Sequence, residues 1–156
     1  MNGEVKVAGT AGALQGQGLS NERRARLEQA MRRLGADDQG ARALAADGVV
    51  VIDGFSLHVM AAGDGPWLAC VKLPRPEGVD DAQWTESLLV ANAHAMMAQD
   101  WAFGLEDDGA GVMVMPLPPG VPDERHLTAI LDGTLSMCRA VVGGANALRD
   151  MRSNKE

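Results

Sequence analysis

The sequence predicts an α+β fold in which helices pack on one antiparallel sheet. The elements follow one another along the chain in the order α-β-β-β-α-β-β-α. Several short runs alternate apolar and polar residues, the pattern of a strand with one buried face. Glycine-containing turns separate these runs, as in β-hairpins. Three longer segments repeat apolar residues at helical spacing. With 156 residues, of which 46% are hydrophobic, the chain is long enough to form one domain without a disulfide or a metal ion.

The first helix is predicted from Ser20 to Leu34. Ser20 is a suitable N-cap residue, Glu22 lies in the first turn, where the helix dipole favours negative charge, and Gly35 ends the pattern. Its apolar residues form one narrow stripe: Leu27, Ala30, Met31 and Leu34. Residues 37–46 predict one or two further helical turns.

Three strands are predicted to follow. Residues 49–52 are all Val or Ile, and the dipeptide Asp53-Gly54 is a strong signal for a tight hairpin turn. Residues 55–60 alternate between apolar and more polar side chains, which indicates a half-buried strand. The third strand, 67–73, ends before two prolines that cannot continue the hydrogen-bond ladder. An antiparallel meander is the expected product.

The middle helix, residues 80–100, is apolar nearly all round. From Leu88 to Ala98 only Asn92 and His94 interrupt the apolar run. A helix of this kind is buried on more than one side. We therefore expect one face to pack on the sheet and the other on a second subunit. His94 is expected to be a polar residue of that interface, where its protonation would change the stability of the dimer.

A second hairpin and a last helix complete the predicted fold. Alternating apolar residues from Trp101 to Leu105 and a strand at 112–117 flank the turn at 106–109. The last helix begins near Pro122 and has an apolar face formed by Leu127, Ile130, Leu131, Leu135, Cys138, Val141 and Val142.

The composition also predicts the domain boundaries. Residues 1–18 are rich in Gly, Ala and Gln and offer too little apolar surface to offset the entropy of ordering, so we expect a flexible arm. A single domain is predicted for residues 19–148, followed by a charged tail at 149–156 that frays.

Several classes of partner are disfavoured by charge and composition. The net charge of −7 argues against nucleic acid, because binding phosphates requires Lys and Arg. No run approaches the ~20 apolar residues of a membrane span, so membrane insertion is not expected. Cys70 and Cys138 lie far apart without metal-like spacing, and reduced thiols in a cytoplasmic protein are the simplest interpretation.

No motif of catalysis or of metal binding is recognisable. The three histidines, His58, His94 and His126, belong to different predicted elements and lack metal-ligand spacing. The acidic turn at 106–109 has only the first residues of a calcium loop, and the glycines of 12–18 are not a phosphate-binding loop. We therefore predict no catalytic, cofactor or metal site and no enzyme. The excess of apolar side chains on short elements instead indicates a surface that binds another protein.

The second half of the chain resembles a known family, the class I type III secretion chaperones, which includes the chaperone of the translocated intimin receptor. The residues that carry the likeness are the run Leu-Leu-Val-Ala-Asn at 88–92, similar to a Leu-Leu-x-x-Asn pattern, and the hairpin Gly-Leu-Glu-Asp-Asp-Gly at 104–109, similar to Gly-Leu-Asp-x-x-Gly. A strand ending in Met-Pro-Leu-Pro and a final amphipathic helix follow. The likeness covers about residues 19–148.

The resemblance implies a function as well as a fold. It implies a cytoplasmic homodimer that binds the N-terminal segments of secreted effector proteins, keeps them competent for secretion and delivers them to the ATPase of the secretion apparatus, without catalytic activity or a cofactor. The dimer interface would contain Leu88, Ala91, Ala95, Met96, Trp101 and Phe103. The effector-binding surface would contain Leu27, Met31, Leu34, Val50, Leu57, Trp67 and Ala69. Nine methionines, which adapt their shape to different partners, would suit binding of several effectors.

Two other interpretations stay open at this point. One is a small dimeric ligand-binding or regulatory domain without catalytic activity. The other is an enzyme subunit whose Asp and His residues come together only in the folded chain.

Overall fold

The computed structural model of the chain describes residues 19–61, 66–98 and 101–154, apart from the side chains of residues 96 and 98. The elements of this part of the chain are, in order, α1 (Asn21–Arg33), α2 (Asp38–Asp47), β1 (Val49–Ile52), β2 (Phe55–Ala61), β3 (Trp67–Leu73), α3 (Asp81–Ala98), β4 (Ala102–Leu105), β5 (Gly111–Pro116) and α4 (Glu124–Ser153). The predicted α+β fold is confirmed. The turns predicted at 37–46 form a complete helix, α2.

The five strands form one antiparallel sheet with the order β1-β2-β3-β5-β4. Short hairpins join β1 to β2 and β4 to β5, and β3 and β5 pair in the interior. After β3 the chain leaves the sheet as α3 and returns at the far edge as β4. This crossover places α3 beside the β4 edge, and it leaves β1 at the opposite edge.

The two faces of the sheet differ in burial. Alternate residues of β2 and β3, such as Leu57 and Val71, are fully buried together with Leu27 of α1 and Leu131 of α4. The intervening residues on the other face, such as Cys70, are half-buried. The predicted alternation of apolar and polar residues in these strands therefore arises because successive side chains point to the helix-covered face and to the opposite face of the sheet.

Local hydrogen bonds explain where three of the helices begin. The Ser20 hydroxyl accepts from the Arg23 N–H at 3.3 Å, which confirms the predicted N-cap. Asp37 accepts from the Gly40 N–H at 2.7 Å, and Asp123 accepts from the His126 N–H at 2.9 Å. Each carboxylate satisfies an N–H that has no partner within its helix. The bond from His126 also lowers the pKa of Asp123.

A buried arginine joins α1 to the sheet. The Arg23 guanidinium lies 4.6 Å from the centre of the Trp67 ring, and its Nε donates to the Gly120 carbonyl at 3.0 Å. The indole Nε1 of the fully buried Trp67 donates to the Pro118 carbonyl at 2.6 Å. These contacts hold the loop after β5 over the first turn of α1.

The last helix is longer than the sequence indicates. Residues 149–153, predicted as part of a frayed tail, continue α4 to Ser153. Arg149 Nη1 donates to the Glu77 carbonyl at 2.7 Å, and Arg152 pairs with Glu86 of α3 at 3.0 Å. These long-range contacts fasten the end of the helix to the rest of the domain. The predicted flexible arm, residues 1–18, lies outside the described residues.

Two glycines offer a matched test of packing. A Cβ at Gly111 would lie 2.8 Å from Trp84 Cζ2 and 3.2 Å from Leu88 Cδ2, so Gly111→Ala must displace α3. A Cβ at Gly143, within α4, would meet nothing within 4 Å. We expect Gly111→Ala to lower the free energy of unfolding by about 1–3 kcal/mol and Gly143→Ala to raise it by about 0.5–1 kcal/mol.

Urea unfolding at one protein concentration measures both changes. Equal stabilities for the two variants would show that Trp84 does not pack tightly on β5.

Candidate protein-interaction surfaces

The residues predicted to bind an effector lie mainly inside the domain. All except Leu34 are buried: Leu27, Met31, Val50, Leu57, Trp67 and Ala69. Leu34 is half-buried at the end of α1. The apolar stripe of α1 is covered by α4 of the same chain, so these side chains form the core and leave little surface for a partner.

The residues predicted for the dimer interface lie largely on the inner side of α3. Leu88, Ala95 and Phe103 have exposed fractions of 4%, 4% and 6%, so they pack within the single chain. Ala91 and Trp101 are half-buried. The side chain of Met96 lies outside the described residues. Among the described side chains of α3, the most exposed apolar ones are therefore other residues than Leu88 and Ala95.

Asn92 positions α3 against the edge of the sheet. Its Oδ1 accepts from the Phe103 N–H and its Nδ2 donates to the Phe103 carbonyl, both at 2.7 Å. Phe103 lies opposite Met113 in the β4–β5 pair, at a position where its backbone groups point away from β5. The Asn92 amide therefore bonds β4 where a neighbouring strand would, which gives the Asn of the Leu-Leu-x-x-Asn pattern a structural role.

The opposite side of α3 is an uncovered apolar surface, which we call the outer α3 face. Exposed fractions are 62% for Leu89, 51% for Val90 and 89% for Met97. A shallow concavity of about 670 Å³ runs along this face, lined by Asp81, Ala82, Thr85, Glu86, Leu89, Val90 and Ala93. His94 is exposed beside it, with Nδ1 2.9 Å from the Val90 carbonyl. Apolar exposure on this scale is typical of a protein-binding surface.

The strand β1 forms the other edge of the sheet, and within the described residues no strand pairs with its outer side. The Val59 N–H donates to the Gly48 carbonyl at 2.8 Å, so by antiparallel alternation Val50 and Ile52 bond β2 while Val49 and Val51 point outward. No described residue bonds the outward groups of Val49 or Val51. A strand edge in this state is a template for an added strand.

A groove accompanies the open edge, and we call it the β1 groove. It has a volume of about 340 Å³ and is lined by Leu34, Gly35, Ala36, Asp37, Gly40, Val50, Val51, Ile52, Asp53, Asp132, Leu135 and Arg139. Its position beside β1 would allow it to receive alternate side chains of an added strand. Among the predicted effector-binding residues, Leu34 and Val50 line it.

The acidic turn between β4 and β5 is held to β3 by ion pairs with Lys72. Lys72 Nζ of β3 lies 2.7 Å from Glu106 Oε2 and 2.6 Å from Asp108 Oδ2, and Asp108 Oδ1 accepts from the Ala110 N–H at 3.0 Å. The bond that Lys72 donates lowers the pKa of Asp108, and its bonds to the Asp108 and Glu106 carboxylates raise the pKa of Lys72. Within the described ranges, no three His, Cys, Asp or Glu residues form a group that could hold a metal ion.

The thiols and the half-buried histidine have environments that favour their neutral forms. Burial raises the pKa of Cys138 to about 12, and burial also raises the pKa of Cys70. Burial lowers the pKa of His58, which lies opposite Cys70 in the β2–β3 pair. Neither cysteine has the electropositive setting that produces a reactive thiolate.

None of the helices in the described part of the chain is long and apolar enough to cross a membrane.

Comparison with solved structures identifies a shared fold. The chain superposes on a chain from the structure of the HopA1–SchA chaperone–effector complex with a TM-score of 0.55 and 16% sequence identity, covering 78% of this chain and 94% of that chain. This likeness confirms the predicted α+β fold class. No protein-family model and no curated protein matches the sequence.

The Asn92 amide can be tested with an isosteric substitution. Asn92→Asp keeps an acceptor for the Phe103 N–H but places a carboxylate oxygen against the Phe103 carbonyl. We expect Asn92→Asp to lower the free energy of unfolding by about 1–3 kcal/mol at pH 7, because a bond is lost and two acceptors face each other.

The same substitution at exposed Asn154→Asp serves as the control and should change stability by less than about 0.5 kcal/mol. Indistinguishable unfolding curves for the two variants would show that the Asn92 bonds do not hold β4.

Proposed function

We propose that the protein is a type III secretion chaperone that binds the N-terminal segments of secreted effector proteins. The observation that carries this proposal is the fold shared with a chain of a chaperone–effector complex, combined with two uncovered surfaces suited to binding protein. In this role the protein acts in the cytoplasm, keeps its clients competent for secretion and passes them to the ATPase of the secretion apparatus. It needs no catalytic group or cofactor for this task.

The outer α3 face is proposed to bind a second copy of the chain. Ala82 and Ala93 are small and permit close approach of two helices, while Leu89 and Val90 supply apolar area. A twofold axis at Val90 would pair the helices antiparallel. It would also place Glu86 of each copy opposite the partner's His94, because these residues lie four positions on either side of Val90.

The β1 edge is proposed to bind the client. An extended segment can bond the outward N–H and carbonyl groups of Val49 and Val51, which requires no particular sequence. Alternate side chains of the segment would enter the β1 groove and provide selectivity. Backbone bonding with few side-chain requirements would let one chaperone bind several effectors.

The outer α3 face does not favour a small-molecule site. The concavity on α3 is shallow and open to solvent, and its lining offers few polar groups to orient a ligand. Small ligands are bound mostly in enclosed pockets that cover most of their surface.

Val90 provides a test of the dimer. Its side chain is 51% exposed in the single chain, so Val90→Asp should leave the domain folded. In a dimer the two new carboxylates would be buried near each other at the twofold axis, and we expect the dimer to weaken by at least about 3 kcal/mol, roughly a hundredfold.

Size-exclusion chromatography with light scattering distinguishes a dimer from the 16.4 kDa chain. Ala140→Asp, an exposed position on α4, is the control and should remain dimeric. A native chain that is monomeric, or a Val90→Asp variant that stays dimeric at micromolar concentration, contradicts the proposed interface.

Val51 provides a test of client binding. Val51→Pro removes the outward N–H without breaking a bond to β2, and proline is tolerated on an edge strand. Val51→Ala removes most of the side chain but keeps the N–H. We expect Val51→Pro to weaken binding of an effector segment about tenfold and Val51→Ala to bind nearly as well as the native chain.

The measurement is isothermal titration with purified N-terminal segments of type III secreted proteins from the same organism, after unfolding curves show that both variants are folded. Equal affinities for the two variants would rule out strand addition at β1. Failure of the native chain to bind any such segment would overturn the chaperone function itself.

A further inference from the structure

Leu19, where the described chain begins, is linked through Arg24 to the end of α2, the helix that precedes β1. Leu19 is 6% exposed, and its carbonyl accepts from Arg24 Nε at 3.2 Å. The same guanidinium donates through Nη1 to the Ala46 carbonyl at 3.3 Å. Ala46 lies in the last turn of α2, three residues before β1 begins. The arm of residues 1–18 is therefore attached to the domain close to the first residue of the open edge.

The arm contains one short segment with the pattern of a strand. Residues 5–8 are Val-Lys-Val-Ala, in which two β-branched residues alternate with others. Ten residues, 9–18, connect this segment to Leu19, and four of the ten are glycines. A connector of this length reaches at most about 33–36 Å, whereas the four residues of β1 span about 13 Å. The segment can therefore return along the whole of β1.

The β1 groove suits this segment in shape and in charge. In an antiparallel arrangement that begins with Ala8 beside Val49, Val5 and Val7 fall on the side of Val50, which lines the groove. The groove is lined by more acidic than basic side chains: Asp37, Asp53 and Asp132 against Arg139. This balance disfavours carboxylates on the groove side of a docked segment, and in this arrangement Val5 and Val7 take that side while Lys6 falls on the opposite side.

We propose that residues 5–8 add to the open edge of β1 and occupy the β1 groove, so that the chain's own arm competes with the client for one site. The effective concentration of a tethered segment is high, so even weak pairing keeps the edge occupied in the absence of a client. The arm then protects an aggregation-prone edge, and only a segment that pairs better than the arm displaces it. The competition rests on the proposed function, whereas the docking of the arm does not.

Amide hydrogen exchange in the full chain tests the docking directly. If the arm is docked about nine-tenths of the time, exchange slows roughly tenfold at the outward N–H groups of Val49 and Val51, which would donate to carbonyls of the arm. The double substitution Val5→Asp with Val7→Asp should abolish this protection, since two carboxylates would enter an acidic groove. The control, Thr10→Asp with Ala13→Asp, adds the same charge to the connector and should retain the protection.

A fluorescent peptide of residues 1–18 provides a second readout that uses no effector. We expect it to bind the Val5→Asp, Val7→Asp variant roughly tenfold more tightly than the native chain, because the docked arm leaves only about a tenth of the sites free.

The outcomes separate the two proposals. Equal exchange and equal peptide affinity in the native chain and the Val5→Asp, Val7→Asp variant would overturn arm docking and leave the chaperone function standing. Loss of protection in the Thr10→Asp, Ala13→Asp control would overturn the assignment to residues 5–8. If the arm protects the β1 edge but the chain binds no effector segment, arm docking would be supported and the proposed chaperone function would be refuted.

Discussion

The pair of hydrogen bonds between the Asn92 amide and the Phe103 backbone determines how the surfaces of this protein are distributed. An amide group has one donor and one acceptor in a fixed geometry, so it can bond both backbone groups of a strand residue at once. Those two bonds occupy the outward backbone groups of Phe103 on the β4 edge and hold α3 against it. With that orientation Leu88 and Ala95 face the core, and Leu89 and Val90 face outward.

The contact of α3 with β4 makes the two ends of the sheet different. At one end, α3 offers a flat apolar helix face that contains small residues, which suits a rigid partner such as another helix. At the other end, β1 offers backbone groups that no described residue bonds and a narrow groove, which suit an extended chain. A dimer through α3 would place the two β1 edges at its far ends. Under the proposed function, one client segment that reached both edges would be held extended.

The sequence predicted the elements well and the roles of individual apolar residues poorly. Alternation in β2 and β3, the turn at Asp53-Gly54 and the cap at Ser20 all depend on local geometry, and the structure agrees with each. From the sequence alone, Leu27 and Trp67 could be taken for surface residues, because the elements that cover them in the folded chain are not known at that stage. In α3 the apolar residues surround the helix, so no periodicity distinguishes the inner side from the outer side.

What the sequence alone determined was the set of elements and their antiparallel hairpins, because propensity, turn chemistry and alternation act over a few neighbouring residues. It also marked α3 as unusual through its all-round apolar character. Only the tertiary structure decided which apolar residues were left over after the core formed. That outcome depends on contacts between residues far apart in the chain, such as Asn92 with Phe103 across the α3–β4 connection and α1 with α4 over the sheet. Burial is a property of the assembled elements, and no single segment encodes it.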